Sequence, residues 1–165
     1  MRRKLTIFII IVFLLLGAGC SYYSVSGALP AHIKTAAVPL FENETVEVGI
    51  VEEITAEMIN AIIKDGNMKV VSEFQADAIV NGTIVDVIEE ADTYSKEEEA
   101  EQFKIHIFAD VTFFDRKKNN VIWEGKRVEG WALFDAADPD SREEGIEEAL
   151  EMLAKEIIDK TLAGW

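Results

Sequence analysis

From Phe103 to Phe114 the chain alternates: Ile105, Ile107, Ala109, Val111 and Phe113 fall on one side, His106, Asp110 and Thr112 on the other. A two-residue period is that of a strand with one buried face. Arg116-Lys117-Lys118-Asn119-Asn120 reads as the following turn, and Val121 to Phe134, with Trp123 and Trp131, as the returning partner strand. From Val46 to Lys64 the period changes. Val51, Ile54, Met58 and Ile62 recur at spacings of three, four and four, which gathers them on one helical face. Asn43-Glu44-Thr45 offers side-chain oxygens to cap that helix, Glu47 sits near its positive end, and Asp65-Gly66-Asn67 stops it. Lys34 to Phe41 predicts a first strand, with Pro39 restricting it to an edge or a strand end. Lys69 to Ser72 predicts a short second strand and Asp77 to Ile88 a longer one, inside which Gly82 marks a bulge or a close packing point. Glu89 to Glu101, centred on Glu97-Glu98-Glu99, reads as a solvated hairpin loop. Asp138-Pro139-Asp140-Ser141 starts a terminal helix whose stripe is Ile146, Ala149, Leu150, Leu153, Ile157 and Thr161.

The predicted order is strand, helix, a run of antiparallel strands, helix. Two amphipathic helices must bury their stripes, and a face of the sheet is the surface available. The expected fold is therefore α+β, a two-layer sandwich in which a mostly antiparallel four-stranded sheet carries both helices on one face. No internal repeat or linker divides residues 31–165, which read as one domain.

The first residues belong to a different pattern. Met1-Arg2-Arg3-Lys4 is a positive n-region, and Leu5 to Leu16 is an apolar run interrupted only by Thr6. The run is too short for the roughly 20 residues a membrane-crossing helix needs, and Gly17-Ala18-Gly19 ends it just before Cys20, the one cysteine of the chain. The small residues before the cysteine resemble a bacterial lipobox, with Gly17 in the place that usually holds Leu, and this resemblance implies that residues 1–19 are a lipoprotein signal peptide, Cys20 the lipidated (palmitate-bearing) N-terminus, and residues 20–30 a short tether. Acylation also removes a thiol that would be a liability in an oxidising compartment. Ser21 rather than Asp after the cysteine resembles lipoproteins sent to the outer membrane.

Charge narrows the partners. The chain has 16 Lys and Arg against 31 Asp and Glu, net −15, and loss of Arg2, Arg3 and Lys4 with the signal peptide deepens this to −18. Such a surface does not grip nucleic acid or anionic lipid by charge, so membrane association falls to the lipid anchor or a protein partner.

No constellation in the sequence points to an enzyme or a cofactor. Phosphate-binding glycine loops are absent, and His32 and His106 lie far apart with no ligand or nucleophile spacing around them. Asp138, Asp140 and Glu144 lack the glycine and remaining positions of a calcium loop. Arg116, Lys117 and Lys118 stand out instead, three positive charges at one hairpin tip, beside Lys126 and Arg127 on the next strand. Fixed cationic clusters suit phosphate groups. Solvation of a turn is the plainer account of them. Phe108, Phe114, Trp123, Trp131 and Phe134 either pack in the core or mark a partner site on a sheet face that helices leave open.

Cys20-Ser21-Tyr22-Tyr23-Ser24, Gly27, Leu29-Pro30, Ile33-Lys34 and Ala37-Val38-Pro39-Leu40-Phe41-Glu42-Asn43-Glu44-Thr45 together are similar to the opening of the LPS-assembly lipoprotein LptE family. Ala76-Asp77-Ala78-Ile79-Val80-Asn81-Gly82-Thr83-Ile84 resembles a strand signature of that family that also recurs in other periplasmic lipoproteins. The resemblance implies a non-enzymatic outer-membrane lipoprotein that plugs and helps assemble the LptD β-barrel and binds lipopolysaccharide, with Arg116, Lys117 and Lys118 as ligand contacts suggested by local charge. The alternative is a periplasmic activator lipoprotein contacting a peptidoglycan synthase. Only about ten residues separate Cys20 from Pro30, a short reach for that role.

Overall fold

Between Ala78 and Asp135 the chain is rich in Val, Ile, Phe and Trp, and there it forms a meander of three long antiparallel strands. The structure is a computed structural model that describes residues 29–94, 100–135, 137–138 and 140–163. Its elements are β1 (Thr35–Ala37), β2 (Glu42–Asn43), α1 (Ile50–Asp65), β3 (Lys69–Val70), a 3-10 turn at Glu73–Gln75, β4 (Ala78–Tyr94), β5 (Ala100–Asp115), β6 (Asn120–Asp135) and α2 (Ser141–Ala163). The signal peptide, Cys20, the tether up to residue 28 and Glu97-Glu98-Glu99 lie outside the described residues.

The fold is α+β as expected, but the sheet is not four-stranded and antiparallel. It is mixed, in the order β3-β1-β4-β5-β6, with β2 also paired to β4. β1 runs parallel to both β3 and β4, and β2 runs parallel to β4. The reason is the crossover through α1: a chain that leaves a strand, makes a helix on one face and returns to the same sheet comes back parallel. Strands of two or three residues are too short to show a period. Two strand segments, not one, precede α1, because Pro39 falls between β1 and β2 and has no N–H to continue a ladder. The acidic stretch is not wholly a loop either. Glu89 to Tyr94 extend β4 and Ala100–Glu101 open β5, with Glu89 opposite Ile105 and Glu90 opposite Lys104. Those acidic side chains stand on a strand whose backbone is paired, so their solvation does not oppose the ladder.

Both helices bury their stripes against one face of the sheet in a single core. α1 contributes Ile50, Ile54, Met58 and Ile62, and α2 contributes Ala149, Leu150, Leu153, Ala154, Ile157 and Ile158. They meet Ile105, Ile107, Ala109, Val111 and Phe113 of β5, the alternating set read from the sequence. Thr161 is buried with its stripe, and its hydroxyl accepts from the Trp123 indole N–H at 3.1 Å while donating to the Ile157 carbonyl. α1 begins later than its pattern suggested. Gly49, at φ 87°, precedes it without a side-chain cap, and Asn43 instead closes a turn by accepting from the Thr45 N–H at 2.8 Å. Glu47 reaches Arg142 at the start of α2 (2.7 Å), and Arg142 also holds Glu89 of β4 (2.6 Å), so one guanidinium ties the approach to α1, the sheet and α2 together.

Two glycines set how closely these layers approach. A Cβ on Gly82 would lie 2.0 Å from the Phe41 ring, and one on Gly130 would lie 2.1 Å from the Ala149 carbonyl oxygen of α2. Gly82→Ala and Gly130→Ala are each expected to destabilise the domain by about 1–3 kcal/mol or more. The second should cost more, because it meets helix backbone rather than a ring, and Phe41→Leu should restore part of the first. Urea unfolding of the three single variants and the Gly82/Phe41 double variant measures both statements.

Candidate functional site

The hairpin tip between β5 and β6 is fastened to the start of the chain. Asp115 occupies the next inward position after Phe113, is 1% exposed, and accepts from the Lys118 N–H at 3.0 Å. Its other oxygen meets His32 Nε2 at 2.6 Å. Burial opposes its charge, but the Lys118 N–H and His32 outweigh that and hold its pKa below the ordinary value. Asp77, at the foot of β4, accepts from the backbone N–H groups of Lys34 (2.9 Å) and Thr35 (3.1 Å) and pairs with Lys117 Nζ at 2.7 Å.

The three cationic residues singled out in the sequence therefore sit together and exposed, but with different duties. The Arg116 guanidinium donates to the carbonyls of Glu73 and Ala76, and its N–H to the Asp77 carbonyl at 2.9 Å. Lys117 is the partner of Asp77. Among the described residues only the Lys118 side chain of the three has no ion-pair or hydrogen-bond partner. The tip is a latch with one uncommitted ammonium. Sequence reasoning missed His32, Asp77 and Asp115. The available signal was Asp115 itself, a charge at an inward position of an apolar alternation, which requires buried partners.

The second feature is the sheet face away from the helices. The aromatic residues divide: Trp123 is buried on the helix side, and Phe134, half-buried, stacks on Phe103 with ring centroids 5.5 Å apart. Phe108, Phe114 and Trp131 belong to the open face, paired in register with Asp86, Ile79 and His106 respectively. There Lys104 Nζ lies 4.1 Å over the Trp131 ring and Arg127 Cζ 4.2 Å over Phe108. His106 stacks near Phe108 and bridges strands through Glu129 (2.5 Å) and Glu90 (3.2 Å). Arg127, at φ 47°, makes a bulge whose N–H is taken by Asp110 (2.9 Å), and Lys126 Nζ lies 3.0 Å from both Asp110 and Glu124. The Arg127 backbone N–H, and after it the Lys126 ammonium, lower the Asp110 pKa, and the hydrogen bonds of Lys126 to Glu124 and Asp110 raise that of Lys126. The face is thus an aromatic and ion-paired surface. The helix layer is acidic, and there desolvation together with Glu147, Glu143 and Glu52 raises the pKa of Glu53.

Among the described residues no three His, Cys, Asp or Glu side chains are grouped to hold a metal ion, and no helix is long and apolar enough to cross a membrane.

A mixed sheet with two helices on one face and a latched hairpin places the molecule among two-layer α+β sandwich proteins. Residues 33–161 match the family described as LptE, lipopolysaccharide-assembly, and the chain belongs to that family of non-enzymatic lipoproteins. No curated protein matches the sequence. Among solved structures, the fold is similar to a protein from Xanthomonas campestris (TM-score 0.63, 12% identity, covering 82% of this chain and 87% of that one). It is also similar to a hypothetical protein from Chlamydia trachomatis (0.54, 13%, 78% and 95%). A third likeness is to a variant of PelC from Paraburkholderia phytofirmans that forms a dodecamer (0.53, 14%, 82% and 93%). At these identities the likeness shows the fold alone.

The latch carries a pH signature. Lys117 and the N–H groups of Lys34 and Thr35 hold the Asp77 carboxyl far below its ordinary 3.8. A carboxylate whose folded pKa is depressed contributes stability that is complete above the unfolded value and is lost as pH falls toward the folded one. Asp77→Asn should therefore lower the thermal midpoint at pH 7, and the gap to the parent should narrow steadily below about pH 3.8. A gap unchanged down to pH 2 in paired melting curves would contradict the ion-pair assignment.

Proposed function

We propose that the protein is an outer-membrane lipoprotein of lipopolysaccharide transport, which acts as plug and assembly partner of an LptD-type β-barrel and binds lipopolysaccharide during its insertion into the outer leaflet. Residues 1–19 are its signal peptide, Cys20 carries the acyl chains, residues 20–30 are the tether, and residues 31–165 fill the role at the barrel. The match of residues 33–161 to the lipopolysaccharide-assembly family carries this reading. The physical features agree with it. A domain stiffened by a long three-stranded meander and one continuous core suits a plug, and an acyl anchor explains membrane attachment by so acidic a chain.

Lipopolysaccharide is anionic, so its phosphates avoid the acidic helix layer and meet the hairpin tip. Arg116, Lys117 and Lys118 are its proposed contacts, with Lys118 contributing the free ammonium and the other two supporting the tip. Lys118→Glu should then weaken binding of purified lipopolysaccharide without moving the unfolding midpoint, whereas Arg116→Ala and Lys117→Ala should lower both. Equal binding by the Lys118 variant in the same titration argues against the tip as the contact.

The partner is tested by affinity capture of the full-length lipidated protein from native membranes. Recovery of a large β-barrel in near one-to-one ratio is the expected result, and Cys20→Ala should shift the protein out of the membrane fraction. Recovery of a peptidoglycan synthase without a barrel would instead establish an activator role.

A further inference from the structure

β6 is the last strand of the sheet, and among the described residues nothing pairs with its outer edge. Its two halves differ. Asn120 to Arg127 carries the features that discourage pairing: a bulge at Arg127 and the charges of Glu124, Lys126 and Arg127. From Val128 to Asp135 the register with β5 is unbroken, and the run Val128-Glu129-Gly130-Trp131-Ala132-Leu133-Phe134 holds a single charge, already engaged with His106. Trp131 and Leu133 remain 37% and 40% exposed. A groove of about 860 Å³ lies beside β6, lined mostly by the run from Trp123 to Glu129, with Trp131 at its end towards the edge and Met152, Glu156 and Lys160 from α2.

We propose that the Val128–Asp135 edge of β6 receives an extended segment of a partner polypeptide as an added strand, and, resting on the barrel reading above, that the segment belongs to the barrel protein. A strand edge presents backbone donors and acceptors in a row, and an extended chain matches that row while seating alternate side chains in a flanking groove. A lipid would leave the backbone groups unpaired and lay its acyl chains against charged side chains of the groove. A second copy of this chain is disfavoured, because it would bring together two domains that each carry a large excess of acidic residues. In a closed barrel every wall strand is already paired on both sides, so the segment comes from a loop or terminus of the barrel protein and not from its wall.

A photoreactive phenylalanine analogue placed singly at Glu129, Trp131 and Leu133 of the full-length protein, and at Asn60 on the helix layer as control, tests this in native membranes. The expected result is cross-linking from the three strand positions to barrel residues spaced two apart in consistent order, with none from Asn60. Leu133→Lys, an edge-guarding change at an exposed position, should abolish the cross-link from position 129. Barrel recovered without a two-residue ladder overturns the edge inference and leaves the barrel reading standing. A ladder onto a second copy or the chain's own N-terminal segment, or cross-links to lipid alone, overturns the assigned occupant. Loss of the barrel from every capture overturns the barrel reading itself.

Discussion

The structure depends on burying one face of a sheet and leaving the other open. The inward residues of β4, β5 and β6 gain their stability only because α1 and α2 lie over them, and burial of each such side chain is worth about 1.5–3 kcal/mol. Close approach at Gly82 and Gly130 lets the Phe41 ring and α2 sit directly against strand backbone. With both helices on the same side, the opposite face must be made tolerable in water by other means. Ion pairs and cations over aromatic rings do this, with Lys104 on Trp131, Arg127 on Phe108, and His106 between two carboxylates.

The two faces also carry charge differently. Acidic side chains concentrate on the helix layer, where burial together with the neighbouring carboxylates raises the pKa of Glu53, while the open face pairs its cations with carboxylates and aromatics and the hairpin tip gathers three positive charges. An acidic domain can thus keep a cationic corner for an anionic partner without a net positive charge. The corner is rigid because its positive groups also do structural work: Arg116 and Lys117 fasten the tip to β4 and the 3-10 turn, and Asp115 fastens it to His32.

Long periods were legible in the sequence, and short ones were not. The alternation of Ile105 to Phe113 and the stripes of both helices survive intact, since each spans enough residues for its period to be unambiguous. β1, β2 and β3 are two or three residues each and owe their pairing to the crossover through α1, which no local pattern records. Asn43 offered a cap but forms a local turn, because Gly49 at positive φ starts α1 six residues later. Of the site, the cationic tip was visible as a charge run. Its carboxylate partners Asp77 and Asp115 were not, because each lies about 40 or more residues from the groups it holds near the chain start. The division of the aromatics between core and open face likewise follows from register, which a single strand does not reveal.

The claim at the centre of this account is that the outer edge of β6 takes an added strand from the barrel protein. Amide hydrogen exchange compared between the free protein and its complex in detergent measures this directly. The account predicts added protection along Val128–Asp135 of β6. Protection confined to α1 and the outer surface of α2, with β6 exchanging as in the free protein, would contradict it.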